Sequence, residues 1–459
     1  MRDGEGMVNG LAMDEEISDD EFLEIMEAPR YSCSLAGAYS AAVALYGTVP
    51  ILHSGGGCGI AQLFGQFYTS GECAPGGQGG TSTPCTSLVE KDVIFGGENR
   101  LRKLIQSTTE LMEGDLYVVI TGCVPALIGD DVESVVKEFK VKTDDRTPLI
   151  YVNTSGFAGN TYHGYEKFFE AAIDQYLEPL PKQKRLINIF GVVPYQHVFW
   201  KGDLEKIKDT FAKIGVEANV IFGEFDGPEK LKKIPAAELN VVLNPWVGHN
   251  IAGKLKEKFG TPYVTFPSVP VGPKQTTALI RLVTEKLKSR KKIAEEVIAA
   301  EERMAYRHVE YFGDALIIGM PHSYTAVIGD SATAIGITKY VANESGFLPD
   351  IVVITDNPPE QKRPEIFREL SENIECVIKP EVVFETDSHL IRQRLKGRSF
   401  LILLASSLEK YITSEFNDAL HLSVSFPILD RMIVDHTYAG YRGGITLMED
   451  IITKFTGPL

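Results

Sequence analysis

The sequence predicts an α/β protein of three Rossmann-like, doubly wound domains with parallel sheets. Three observations predict it. Apolar strand-like runs alternate with amphipathic helical stretches almost from end to end. Helical stretches are closed by Gly or Pro, as helix stops usually are. The chain's 459 residues also exceed what one ordinary core holds.

Taken in order, residues 1–182 form the first domain. It starts with an acidic helix, DEEISDDEFLEIMEAP, stopped at Pro29, and continues through a segment of small residues. A strand, YVVITGC (117–123), is followed by a helix entry and helix in PALIGDDVESVVKEF, and PLIYVNTSGF (148–157) is a second strand running into a loop. Residues 183–305 form the second domain: strands KRLINIFGVV, VEANVIFG, LNVVLNP and TPYVTFP alternate with helices DLEKIKDTFAKIG and NIAGKLKEKFG. The Lys-, Glu- and Ala-rich stretch Thr276–Tyr311 reads as one long helix bridging two units. Residues 306–459 form the third domain. It opens with DALIIGMPH, then the helix DSATAIGITKYVANESG and the strand DIVVITD, and closes with a helix from about Gly444. In this class ligands sit at strand C-termini.

Composition excludes several functions. Hydrophobic residues make up 44% and charged residues 24%, a globular profile. No apolar run reaches the roughly 18 residues of a membrane span, and the acidic N-terminus lacks the apolar core of a secretory signal. A cytoplasmic protein is expected. With 46 basic against 62 acidic residues, a net charge of −16, neither nucleic acid nor an anionic membrane is an expected partner.

The six cysteines are not a disulfide framework in such a chain. Five fall between Cys33 and Cys123, and Cys376 stands apart as a small hydrophobe. Cys33 sits in YSCSLAGAYSAA, Cys58 in HSGGGCGIAQ, and Cys123 at a strand end in TGCVPALIGDD. All three are set among small residues or glycines, where the backbone can approach something bulky. Iron–sulfur clusters need thiolates held at fixed directions. The spacings of 25 and 65 residues are neither those of a ferredoxin nor those of a paired-cysteine zinc site. On the residues alone, iron–sulfur ligation, another metal and structural cysteines all stay open. Three ligands would leave a cluster iron to be completed by another chain. His53, beside the glycine run, reads as a hydrogen-bonded turn residue. Gly129-Asp130-Asp131 reads as acids favoured at a helix start.

The segments Cys33-Ser-Leu-Ala-Gly-Ala, Gly-Gly-Cys58-Gly, Glu90-Lys-Asp-Val-Ile-Phe-Gly-Gly97 and Cys123-Val-Pro-Ala-Leu-Ile-Gly-Asp-Asp131 resemble, in order and spacing, the nitrogenase component 1 family. The family includes both subunits of the catalytic nitrogenase protein, their cofactor-assembly homologues, and tetrapyrrole and methylthio-alkane reductases. The resemblance covers nearly the whole chain, and it implies the three-domain architecture.

It further implies that Cys33, Cys58 and Cys123 hold a cluster at a subunit interface, either a P-cluster ([8Fe-7S]) shared with a partner or a [4Fe-4S] cluster. Gly57, Gly59, Gly122 and Pro125 would shape its pocket. The implied partners are an α-type homologous subunit in an α2β2 complex and an ATP-dependent [4Fe-4S] reductase iron protein. The substrate would be dinitrogen or a related small molecule such as a methylthio-alkane. The stretch SVSFPILDRMIVDHTYAGYRGG (423–444) is similar to the β-type chain. Asn244 stands about where the α-type chain carries a cofactor-binding cysteine, and His436 is the one histidine that could serve such a cofactor. The implied function is therefore a β-type subunit relaying electrons. The alternatives are a scaffold for cofactor assembly, or a tetrapyrrole-type reductase subunit with one four-iron cluster.

The chain also departs from the family. Gly156 occupies the place of a serine in the molybdenum β-chain, with Ser155 adjacent. Gly55-Gly56-Gly57 replaces Gly-Ser-Gln-Gly, and the Gly-rich APGGQGG has no family counterpart. Cys73 and Cys85 match no ligand position and read as free thiols.

Overall fold

The computed structural model describes residues 30–62, 70, 83–143, 147–319, 323–411, 413–415 and 419–456. Three parallel sheets carry the chain. The first has the order β1-β2-β3, with β1 at Thr48–His53, β2 at Leu116–Thr121 and β3 at Leu149–Asn153. The second has the order β5-β4-β6-β7: β4 is Gln183–Phe190, β5 Glu217–Asn219, β6 Ala237–Leu243 and β7 Tyr263–Phe266. The third has the order β10-β9-β8-β11-β12: β8 is Tyr324–Gly329, β9 Leu348–Ile354, β10 Glu381–Phe384, β11 Ile402–Ala405 and β12 Leu420–Ser423. The edge strand β1 and the central strand β2 are both buried along their whole length, as befits parallel strands covered on both faces.

Several elements differ from the sequence expectation. β1 is a strand that the sequence expectation did not include, and it pairs residue by residue with β2 although Pro50 lacks an N–H. Among the described residues its other side makes one bridge, Leu52 to Cys85, so the ladder has little to lose there. The expected single helix over Thr276–Tyr311 is two helices, Gly272–Leu287 and Lys291–Gly319. They are separated at Lys288 and Arg290, both at positive φ (49° and 65°) without the glycine that usually marks such a stop. Asp314–Gly319 ends that second helix, so the third sheet begins instead at Tyr324. The strand expected over VEANVIFG stops at Asn219, because Ile221 turns to φ 64°. The N-terminal acidic helix, Cys73 and the APGGQGG run lie outside the described residues.

The helices Ser34–Val43 and Thr161–Gln175 cross at backbone contact distance. A Cβ on Gly37 would lie 1.8 Å from the Thr161 carbonyl oxygen, and one on Gly164 would lie 1.9 Å from that of Ser34. This crossing seats the start of the first helix, and with it Cys33, against the loop after β3.

The three sheets meet at Asp356, just past β9. The Trp246 indole N–H, after β6, donates to its Oδ2 at 2.8 Å, the Ser331 hydroxyl donates to the same oxygen, and the Asn160 amide donates to its carbonyl at 3.0 Å. Tyr162 and His163 pack on the Trp246 ring. Nearby, the buried Arg30 guanidinium pairs with Glu409 and Ser406. Burial, then the charge of Asp330, pushes the Asp356 carboxyl up to about 6.

Gly37→Ala is expected to cost about 3 kcal/mol of stability, as forced overpacking does, measured as the urea midpoint of the purified chain. For Asp356 the folded value lies above the unfolded one. Its stabilising contribution is therefore complete below about pH 3.9 and lost as pH rises through about 6. Asp356→Asn keeps an acceptor for Trp246 and Ser331, so its urea midpoint relative to the parent chain should rise from pH 5 to pH 8.

Candidate functional site

Parallel strands place their C-terminal ends on one edge, and in the first sheet that edge carries the cysteines. After β1 the chain turns through Gly55 into a short helix, Gly56–Gln62, with Cys58 as its third residue. After β2, Gly122 leads into the helix Cys123–Ile128, which Gly129 ends in the left-handed region (φ 78°). After β3, the loop runs through Gly156 to Asn160, which makes an isolated bridge to Cys33, the residue capping the helix Ser34–Val43. Each thiol thus sits at the N-terminal end of a helix.

Gly156 is the contact point of two of them. Its N–H donates to Cys123 Sγ at 3.1 Å. A Cβ there would lie 2.9 Å from Cys123 Sγ and 3.3 Å from Cys33 Sγ, so both sulfurs border a space that only glycine leaves open. Cys58 shares the electrostatic neighbourhood of Cys33, Cys123 and Cys85. Burial pushes its thiol up, against a hydrogen bond from Ser54, and the negative charge the other three cysteines would carry adds to the rise. Cys33, Cys58, Cys85 and Cys123 are all free and half-buried. Among the described residues, no three His, Cys, Asp or Glu side chains converge as a single-ion site requires. A cluster spreads its thiolates over several irons, and the all-thiol donor set with a Gly156 cradle suits that group.

The four flanking residues differ in what they do. Gly122 is sterically required, since a Cβ would meet Ser54 Cβ at 2.8 Å. Pro125 is buried, and its carbonyl accepts the N–H of Gly129 and of Asp130, both at 3.1 Å. Among the described residues, an added Cβ at Gly57 meets nothing within 4 Å, and at Gly59 only Leu52 at 3.8 Å, so their packing demands glycine at neither.

Beneath the thiols lies a polar brace in which the two acids, read alike from the sequence, take different roles. Asp131 does cap the next helix, accepting the Ser134 N–H. Asp130 instead accepts the Gly97 N–H at 2.9 and 3.0 Å and receives His53 Nε2 at 3.0 Å. His53 is fully buried at the end of β1, with Nδ1 3.2 Å from the Thr86 hydroxyl. Burial drives its imidazole below the usual range, against the opposing pull of Asp130. One carboxylate therefore ties β1, the loop after β2 and the Gly96–Gly97 turn together.

Around the thiols runs an exposed apolar rim. Ile94 and Phe95 come from the helix Glu90–Phe95, Leu127 from the cysteine helix, and Phe157 follows Gly156; all four are at least two-thirds exposed. A concentration of large apolar side chains in water marks a contact surface, and single-residue periodicity gave no sign of it.

The positions weighed for a second cofactor are otherwise engaged. Asn244 Oδ1 accepts the N–H groups of Trp246 and Val247, and its amide donates to the Gly191 carbonyl at 3.3 Å. His436 Nε2 lies 3.0 Å from Asp450, against the rings of Phe199 and Tyr438.

An α/β protein of three parallel sheets, with thiols gathered at the C-terminal edge of the first, defines a narrow class. The pattern described as "Nitrogenase component 1 type Oxidoreductase" matches residues 33–456, and the chain belongs to that family. It is 23% identical over 456 residues to the nitrogenase molybdenum-iron protein beta chain of Methanococcus maripaludis, covering 92% of this chain and 93% of that one. It is 24% identical over 451 residues to the nitrogenase iron-iron protein beta chain of Rhodobacter capsulatus, with 92% of each covered. The nitrogenase iron-molybdenum cofactor biosynthesis protein NifE of Methanococcus maripaludis matches at 25%, over 82% of this chain and 73% of its own. In fold, the chain superposes on the solved structure "Nitrogenase Cp1 at pH 6.5" with a TM-score of 0.78 at 23% identity, covering 94% and 95% of the two chains. No helix among the described residues is long and apolar enough to cross a membrane.

Asp130→Ala strands a buried imidazole and a backbone N–H at once. The expected loss is about 2 kcal/mol, read as a lower thermal midpoint, with faster amide exchange at Gly97.

Proposed function

We propose that this chain is the β-type subunit of a nitrogenase-like reductase, in which Cys33, Cys58 and Cys123 hold one half of an interface iron–sulfur cluster. The observation that carries the reading is the approach of Cys33 and Cys123 across Gly156, with Cys58 alongside, on the edge where ligands of doubly wound sheets bind. Bound there, an iron–sulfur cluster supplies one-electron transfer. This chain's part is to bind and orient. Three helix-terminal thiols present their sulfurs from fixed backbone positions. The Gly156 N–H stabilises charge on the Cys123 sulfur. The Asp130–His53 brace keeps the loops after β1 and β2 in register.

Three thiolates do not complete a large cluster, so the remaining ligands come from an α-type partner in an α2β2 assembly. The exposed rim of Ile94, Phe95, Leu127 and Phe157 is where protein partners close over the site. An ATP-dependent iron protein is the electron donor of this reading, and the substrate, dinitrogen or a related small molecule such as a methylthio-alkane, is reduced on a cofactor of the partner. The β-chain relatives support the assignment. A second reading, a scaffold for cofactor assembly, is favoured by the similarity to NifE. A complex whose iron is passed on to an acceptor protein during incubation would select it.

The test is iron and sulfide analysis with EPR on the anaerobically purified complex of this chain and its partner. Cys123→Ala should lower bound iron and change the cluster signal, and full retention of iron would overturn the ligand assignment. About four irons per αβ pair, without a cofactor signal, would replace the P-cluster by a single four-iron cluster.

A further inference from the structure

A fourth thiol of the site has no place in the ligand set. Cys85 lies beside β1, where Leu52 donates its N–H to the Pro84 carbonyl at 2.8 Å and Thr86 donates to the Leu52 carbonyl at 2.9 Å. This single bridge puts Cys85 against the same core that Cys33 and Cys58 touch. Its thiol donates towards the carbonyls of Ser54, at 3.6 Å, and Gly55, at 3.8 Å. The Ser87 N–H donates back to its sulfur at 3.4 Å. Ser87 holds φ 46°, a left-handed conformation that a non-glycine residue adopts at a cost.

The groups that Cys85 holds are the ones that hold Cys58. The Gly55 carbonyl also accepts the Cys58 N–H at 3.2 Å. The Ser54 hydroxyl stands 3.7 Å from Cys85 Sγ and hydrogen-bonds the Cys58 thiol. The Ser54 carbonyl also accepts the Leu88 N–H at 3.0 Å and the Thr86 hydroxyl at 3.1 Å, and the Ser54 hydroxyl donates to the Gly55 carbonyl at 3.1 Å, whereas among the described residues the glycines themselves meet little packing. A Cβ at Gly55 or Gly57 would meet nothing within 4 Å, and one at Gly56 would reach only Ser87, at 3.5 Å. Three glycines in a row carry high conformational entropy, so hydrogen bonds must supply the order that packing does not.

We propose that Cys85 is a positioning residue: its thiol, donating to the Ser54 and Gly55 carbonyls, joins Thr86 and Leu88 in fixing the glycine turn that aims Cys58, and it is not itself a metal ligand. Its sulfur faces two carbonyl oxygens, acceptors that a ligand sulfur carrying metal-bound charge would be repelled by. The inference rests on the reading of Cys58 as a ligand.

The experiment follows each cysteine separately by iodoacetamide alkylation and peptide mass spectrometry, with the cluster's midpoint potential as a second readout. In the metal-free chain, Cys85→Ala should speed alkylation of Cys58 by up to about fivefold, the factor that one ordinary hydrogen bond carries, a thiol being the weaker donor. In the loaded complex the same variant should shift the midpoint potential. Cys85→Ser keeps a donor and should return both readouts towards the parent. Removing iron from the parent complex should expose Cys33, Cys58 and Cys123 and leave the reactivity of Cys85 unchanged. Unaltered Cys58 reactivity and potential in Cys85→Ala would overturn the proposal, as would protection of Cys85 by bound iron. A parent complex that purifies without iron would overturn the ligand reading of Cys58 instead, and the alkylation rates in the metal-free chain would still decide the role of Cys85.

Discussion

The candidate site depends on the parallel alignment of β1, β2 and β3. Because the three strands run the same way in continuous register, the segments that follow them leave the sheet on one edge. That edge receives Cys58 after β1, Cys123 after β2 and Gly156 after β3. An antiparallel arrangement would send the middle segment to the opposite edge, and the thiols could not meet. Cys33 joins them from outside the sheet, through its bridge to Asn160 and the glycine-lined crossing of two helices.

Small residues and one carboxylate then share the work of keeping that edge in shape. Gly37, Gly164, Gly122 and Gly156 each remove a side chain that would hold two backbones or a sulfur apart. Asp130 supplies the opposite kind of control, since it fastens His53 and Gly97 by hydrogen bonds in a place water does not reach. A buried imidazole kept neutral and a carboxylate with every near donor satisfied form a low-cost brace, whereas either group alone would be an expensive orphan.

The junction of the three sheets is built differently. Trp246, Tyr162, Asn244 and Asp356 fill it with side chains bonded to one another and to the backbone. The chemistry-bearing cysteines therefore sit at the outer edge of the first sheet, within an apolar rim suited to other proteins, and the centre of the chain is used for cohesion.

Much of this was legible in the sequence. The strand–helix alternation implied parallel sheets, and glycine-flanked cysteines implied thiols presented at loop starts, because both follow from neighbours along the chain. Elements were missed where local signals were weak or misleading: β1, with its Pro50, was not anticipated, and the helix break at Lys288–Arg290 has no glycine to mark it. What only the tertiary structure decided are the long-range meetings: Cys33 with Cys123 across Gly156, Asp130 with His53, and Cys85 beneath the turn of Cys58. Sequence by itself determined which groups could do the chemistry, since a thiol's reactivity belongs to the residue and its immediate backbone. Which of them share one site was decided by strand order and helix crossing, through contacts between residues 30 to more than 120 positions apart, and no local pattern encodes those.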